Sequence, residues 1–200
     1  MNAMKYDFDM IVIGLGPAGM AVSIMGSAMG LRVCGIEKAH VGGECMNVGC
    51  IPSKALLRMA KARHTFDRLR VMELAGTERP SVLQPFEKIR RSIAYIQEKK
   101  TIGMFEKVTM VHQEGAAAFV DPHTIEVGGK RLTAKRIFLC VGTRPEIPPF
   151  PGIDSVPVLT NENMFNLESV PARLVILGGG AIACEMAQAF RRLGSAVTII

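Results

Sequence analysis

No stretch of this 200-residue chain stays apolar long enough to span a bilayer, because glycines and charges interrupt every run. A secretory leader is not expected either: the first nine residues carry Asp7 and Asp9 against one lysine before the first apolar run. Aromatic residues are sparse and only two are tyrosines, which leaves little to stack on bases. The 24 basic residues behind the net charge of +6 are dispersed, so nucleic acid and membrane are both unexpected as partners and the charge reads as ordinary surface. Cysteine is scarce at five residues, and three of them (Cys34, Cys140, Cys184) stand singly inside apolar runs, where buried packing is the usual fate. A zinc site needs four ligands, so no metal is expected. Few cysteines and no leader suit a reducing compartment, with the cytoplasm as the expected location. The four histidines, His40, His64, His112 and His123, read as solvated or turn residues.

What is present is a globular composition, 48% apolar, with enough length for one domain plus part of another. Phe8–Ile13 reads as an apolar strand entering the turn Gly14-Leu15-Gly16-Pro17-Ala18-Gly19. A small-residue helix to about Met29 follows, then a strand Leu31–Ile36 ending in Glu37. Strand, glycine turn, helix, strand and terminal acid in that order mark a dinucleotide-binding unit. Gly14 permits the tight turn, Gly16 admits a pyrophosphate to the backbone, Gly19 lets the helix pack on the strand, and Glu37 is placed to accept from a ribose diol. Arg173–Ile200 repeats the unit. An offset of 164 lays Gly14 on Gly178, Gly16 on Gly180, Gly19 on Ala183, Gly30 on Gly194 and Val33 on Val197. A sheet ending after two strands cannot close its core, so the chain is expected to be the amino-terminal part of a longer protein.

Between the repeats, a helix is expected from about Ser53 to Leu74, a loop over Gly76–Pro85 and a second helix from near Phe86. The second helix carries an apolar stripe of Phe86, Ile89, Ile93 and Ile96, with Lys88, Arg90, Arg91 and Glu98 turned away. Strands are expected over Val108–His112, Ala116–Val120, Thr124–Val127 and Arg136–Val141, with turns at Asp121-Pro122 and Gly128-Gly129. Four prolines over Pro145–Pro151 make a stiff connector.

The remaining stretch, Gly42-Gly43-Glu44-Cys45-Met46-Asn47-Val48-Gly49-Cys50-Ile51-Pro52-Ser53-Lys54, holds two cysteines five positions apart. Regular helix would put their Cα atoms roughly 8.6 Å apart, beyond the roughly 7 Å a disulfide tolerates. If they pair, the backbone between them must leave regular helix, and Gly49 allows it best. So short a ring gains little as a staple, which favours a bond that opens and closes. Inert thiols and a metal-binding pair are the competing readings.

This string closely resembles the redox-active segment of the class I pyridine nucleotide-disulfide oxidoreductases. Its Cys-Ile-Pro-Ser-Lys ending is most similar to the dihydrolipoamide dehydrogenase branch. The Pro148-Pro149-Phe150-Pro151-Gly152 and Thr160-Asn161-Glu162 segments also resemble the mercuric reductase branch.

The resemblance implies an α/β chain: an FAD-binding Rossmann-like domain with an inserted β-meander over 1–147, a connector over 148–170, and the truncated start of an NAD(P)-binding Rossmann domain over 171–200. FAD and NAD(P)H are the implied cofactors. FAD contacts are implied for Gly14, Gly16, Pro17, Ala18, Gly19, Glu37, Lys38, Gly42, Gly43, Glu44, Cys45, Lys54 and Ala117. The segment Cys140-Val141-Gly142-Thr143 is similar to the family's Ala-Thr-Gly-Ser strand and adds Val141, Gly142 and Thr143. The second nucleotide falls to Gly178, Gly179, Gly180, Ala181, Ile182, Ala183 and Glu185. Cys45 and Cys50 are implied to be the redox disulfide, with Cys50 against the flavin and Cys45 exchanging with substrate. Lys54 and Glu185 are the implied charged pair near the flavin.

Glu44 stands where threonine is usual. Ala181 replaces the tyrosine of glutathione reductase-like enzymes, which disfavours glutathione. The implied partners are a small-molecule or lipoyl-type disulfide and a second copy in a homodimer. The family's histidine base belongs to a carboxy-terminal domain, so these 200 residues alone are not expected to turn over. The non-enzyme alternative is a nucleotide-binding module without redox activity.

Overall fold

The computed structural model describes residues 6–76, 78 and 84–200. The chain divides into two compact units, Met1–Asn47 with Ala94–Arg144, and Val48–Ile93 with Pro145–Ile200.

The first unit is built on a six-stranded, mainly parallel sheet. Its elements are β1 (Phe8–Ile13), α1 (Pro17–Ala28), β2 (Val33–Glu37), the short α2 (Gly43–Asn47), β3 (Thr109–His112), β4 (Ala118–Asp121), β5 (Thr124–Val127) and β6 (Lys130–Leu139). Strand order is β3-β2-β1-β6-β5-β4. β1 is central and buried on both faces, as a continuous apolar run in a parallel sheet requires. Alternate residues point to opposite sides. Met10 and Val12 therefore join Leu15, Val33, Val41, Phe105 and Val108 in one cluster. Ile11 joins Cys34, Ile36, Val111, Ile125, Val127 and Ala134 in the other. Ile11, Val12 and Leu15 are fully buried, each contributing about 1.5–3 kcal/mol of hydrophobic stabilisation.

β6 serves two partners. Lys130–Thr133 pair antiparallel with β5, and residues from Ala134 to Leu139 pair parallel with β1. The strand is consequently longer at its start than the expected Arg136–Val141. It ends sooner because its partner β1 stops at Ile13, opposite Leu139, where Gly14 turns away at a φ of +91°.

The second unit holds α3 (Cys50–Val71), α4 (Pro85–Ile96) as far as Ile93, the one-turn α5 (Asn161–Met164), β7 (Arg173–Ile176), α6 (Ala181–Leu193) and β8 (Ala196–Ile199). Leu56 and Ala60 of α3, Phe86 and Ile89 of α4, and Met186, Ala189, Phe190 and Leu193 of α6 share one core with Met164 and Phe165. α3 begins three residues earlier than expected. Pro52 is accommodated because the first helical turn has no intrahelical acceptor for its missing N–H. Of the loop expected over Gly76–Pro85, residue 77 and residues 79–83 lie outside the described residues, as do residues 1–5 of the amino-terminal segment; Pro85 itself opens α4. Arg90 is more than a solvated cation, since its Nη1 donates to the carbonyls of Phe165 (3.0 Å) and Leu167 (3.3 Å). Thr160 and Asn163 close a capping box around α5, which gives the Thr160-Asn161-Glu162 segment a local structural role.

The repeat read from the sequence extends to the backbone bonds. The Gly14 N–H donates to the Ile36 carbonyl at 2.8 Å, and the Gly178 N–H to the Ile200 carbonyl at 2.7 Å. The pairs Met20–Gly16 and Cys184–Gly180, then Leu31–Gly26 and Ser195–Phe190, recur at the same offset. Gly14 and Gly178 share φ values of +91° and +88°.

Candidate functional site

In the first unit, the turn after β1 is shaped by backbone crowding. A Cβ on Gly14 would lie 2.3 Å from the Cys140 carbonyl oxygen, and one on Gly19 would lie 1.8 Å from that of Gly14. Only glycine lets α1 start so close to the strand. Gly16 is the N-cap, Pro17 the first helical residue, and neither a capping side chain nor an acid occupies the first turn. The amides of Ala18 and Gly19 thus head a 12-residue helix whose positive end suits a pyrophosphate. Gly43 closes over this turn, since a Cβ there would lie 2.6 Å from the Gly16 Cα.

Glu37 ends β2 and is 9% exposed. One carboxylate oxygen accepts from the Leu15 amide at 2.9 Å and the other from the Ala39 amide at 2.8 Å. Its carboxylate therefore fixes the glycine turn and still has lone pairs for a ribose. These residues fit the dinucleotide read from the sequence. Lys38 is exposed beside Glu37, and Gly42 is buried, its amide donating to the Leu15 carbonyl at 2.8 Å.

Cys45 is half-buried within α2, next to exposed Glu44 and buried Met46. Asn47 and Gln97, neither singled out in the sequence, tie this helix down. Asn47 Nδ2 donates to the carbonyls of Gly43 (2.8 Å) and Val41 (3.2 Å). Gln97 Nε2 donates to Asn47 Oδ1 (3.0 Å) and the Val41 carbonyl (3.2 Å). Asn47 lay in plain view inside the cysteine motif, whereas nothing in the sequence links Gln97 to it from 50 residues away.

Of the other residues expected on this unit's nucleotide, Ala117 precedes β4 and packs half-buried on the second cluster. Val141, Gly142 and Thr143 lie exposed beyond the end of β6. Cys34 is buried in β2, and burial pushes its thiol up to about 11. Cys140 is half-buried against the glycine turn. His112 Nε2 is bonded to the Ala39 carbonyl (3.1 Å), and His123 Nδ1 to that of Ala134 (3.0 Å) beside the Tyr6 ring. His123 thus sits in the turn between β4 and β5 and His112 is exposed at the end of β3, as expected, with both rings held by backbone carbonyls.

In the second unit, Cys50 is exposed and opens α3, with Gly49 as the N-cap at φ −124° and ψ −112°. One turn on, Lys54 Nζ meets both carboxylate oxygens of Glu185 at 2.5 and 2.6 Å. Glu185 is the fifth residue of α6, outside its first turn, so the pairing with Lys54 and not the helix dipole accounts for its place. Gly180 caps α6 with no side-chain bond, and Gly178, Gly179, Gly180, Ala181 and Ile182 are exposed with Ala183 half-buried. Cys184 is also exposed, contrary to the packed position expected, because α6 turns Met186, Ala189, Phe190 and Leu193 inward instead. Among the described residues, no cluster of three or more His, Cys, Asp or Glu is placed to hold a metal ion. No described helix is long and apolar enough to cross a membrane.

Cys45 and Cys50 are both thiols in the structure, not joined as a disulfide. A glycine turn feeding an uncapped helix, built twice in one chain and joined to a segment with two cysteines, defines a dinucleotide-binding α/β protein of the redox class. The chain belongs to the pyridine nucleotide-disulphide oxidoreductase family, whose model matches residues 8–200. The family is FAD-dependent and uses NAD(P)H. Among its relatives, a mercuric reductase of Bacillus cereus is 35% identical over 98% of this chain and 31% of its own length. A dihydrolipoyl dehydrogenase of Staphylococcus aureus is 37% identical over 96% of this chain and 42% of its own. The solved HOCl-induced flavoprotein disulfide reductase RclA from Escherichia coli matches with a TM-score of 0.80 and 28% identity, over 96% of this chain and 41% of that one. The chain thus spans less than half the length of these relatives.

Proposed function

We propose that this chain is the cofactor-holding, cysteine-bearing part of an oxidoreductase that passes electrons between NAD(P)H, FAD and a Cys45–Cys50 disulfide. The observation that carries the reading is the glycine turn built twice, with the cysteine segment directly after the first unit's acid. Two nucleotide sites in one chain suit a relay better than a single-cofactor dehydrogenase. The domain assignment follows: FAD held by residues within 1–147, a connector over 148–170, and NAD(P)H at the turn within 171–200.

Bound FAD supplies two-electron exchange between nicotinamide and sulfur. The chain's residues do the rest. Gly14, Gly16 and the amides of Ala18 and Gly19 hold the pyrophosphate, and Glu37 accepts from the ribose. Reduction of the disulfide breaks one sulfur–sulfur bond and takes up two electrons and two protons, giving Cys45 and Cys50 thiols. Cys45 as thiolate attacks a substrate disulfide, breaking its sulfur–sulfur bond and expelling one substrate thiolate. Cys50 as thiolate then attacks the mixed disulfide, restoring the Cys45–Cys50 bond and releasing the second substrate thiolate; each substrate thiolate takes up a proton. Lys54, anchored by Glu185, places a cation where negative charge gathers.

Dihydrolipoyl dehydrogenase is the favoured activity, with a lipoyl-type disulfide as substrate, a cytoplasmic location and a homodimer as the assembly. Mercuric reductase is the second reading, supported by the 35% identity to the Bacillus cereus enzyme. Equilibrium dialysis against FAD and against zinc tests the cofactor assignment. Stoichiometric yellow flavin supports it, and stoichiometric zinc without flavin refutes it in favour of a thiol metal module.

A further inference from the structure

α2 has only five residues, too few for a helix to hold its own direction. Its orientation, and with it that of Cys45, must come from what grips it. The grip comes from a π-turn at Gln97–Thr101, closed by the Ile102 amide donating to the Gln97 carbonyl. Such widened turns are rare and concentrate at functional sites. A wider turn brings residues four apart to nearly the same side, and both ends of this one reach α2. Gln97 spends its two N–H donors on Asn47 Oδ1 and the Val41 carbonyl, at 3.0 and 3.2 Å. Thr101 is buried, with its hydroxyl 3.9 Å from Met46 Sδ. The two contacts land on the two residues that follow Cys45.

Asn47 carries the grip into α2. Its carbonyl oxygen faces Gln97, so its amide nitrogen is left to donate to Val41 and Gly43, and a flipped amide would set acceptor against acceptor. We infer that Gln97 is a positioning residue for Cys45: its paired donors fix Asn47, and through it the direction in which α2 presents the Cys45 sulfur for disulfide exchange. The inference rests on the proposed Cys45–Cys50 redox pair. It requires the donors of residue 97 and not merely its bulk.

The test is the equilibrium of the chain with oxidised and reduced dithiothreitol, quenched by alkylation. One protein disulfide forms as one reagent disulfide breaks, and two hydrogens pass to the reagent. Gln97→Met keeps the length and loses both donors; the disulfide-forming constant should fall about tenfold, the equivalent of roughly one to two ordinary hydrogen bonds. Gln97→Lys keeps donors and should stay within about twofold of wild type. Asn47→Asp, which removes the donors at the other end, should fall like Gln97→Met and stands in for it if that variant does not fold. An unchanged constant in a folded Gln97→Met or Asn47→Asp overturns the inference, as does a Gln97→Lys value as low as that of Gln97→Met. A wild-type chain that forms no Cys45–Cys50 disulfide at any reagent ratio overturns the redox reading itself, and the inference with it.

Discussion

Replacing Glu37 by glutamine should destabilise the first unit even with no nucleotide present. The carboxylate is 9% exposed and takes one backbone amide on each oxygen, at 2.9 and 2.8 Å. Glutamine retains one acceptor and turns the other into an NH2 group facing an N–H. That loses one charge-assisted bond and leaves a buried donor unmet, together about 2–4 kcal/mol. Aspartate, one methylene shorter, cannot reach both Leu15 and Ala39 and should lose a similar amount. Urea unfolding followed by far-ultraviolet circular dichroism measures the difference from the midpoint shift. If Glu37 also accepts from the ribose, as proposed, added FAD should then raise the wild-type midpoint more than that of the variant. A Glu37→Gln variant within about 0.5 kcal/mol of wild type would refute the argument, since surface substitutions without a structural role fall in that range.

Gly19→Ala sets a Cβ 1.8 Å from the Gly14 carbonyl oxygen and should cost about 3 kcal/mol or more, while Gly103→Ala, with nothing within 4 Å, should change urea stability by less than about 0.5 kcal/mol. Lys54→Met should barely alter the midpoint: the pair with Glu185 is short, but the side chains are 59% and 39% exposed, and such pairs are worth about 0.2–1 kcal/mol. A loss several times larger would mean that the pair holds the second unit together. Asp7 is kept below the usual carboxylate value of 3.8 by the hydroxyl and amide of Thr133, and Asp9 by the Arg32 amide and the Lys135 and Arg32 side chains. Their contribution is therefore complete above that value and is lost as the pH falls further toward the folded-state pKa values. Thermal midpoints between pH 6 and pH 2 should drop on the acid side, and Asp9→Asn should flatten that drop.

The sequence was most informative where side-chain pattern and backbone need coincide. β1 could be bounded at Phe8–Ile13 because an apolar run stops at a glycine that must take positive φ, and the repeat could be aligned because the same glycines recur. The Lys54–Glu185 pair was legible only through family resemblance, since 131 positions separate the two residues and each alone looks like surface charge. The early start of α3 was hidden by Pro52, which resembles a helix opener yet sits inside the first turn. β6 was read too short because three of its first four residues, Lys130, Arg131 and Thr133, are polar and the four pair with β5 as a hairpin. The role of Gln97 was invisible because a π-turn leaves no periodicity of its own, and the exposure of Cys184 depends on which face α6 buries. Exposed Arg90 looked solvated because the carbonyls it holds lie 75 and 77 positions away.

The most direct measurement is the absorbance of the FAD-loaded protein after anaerobic addition of two electrons. Thiolate contact with the flavin predicts a long-wavelength band in the wild-type protein that is absent from Cys50→Ser. No such band in the wild type, or an equal band in Cys50→Ser, would contradict the assignment.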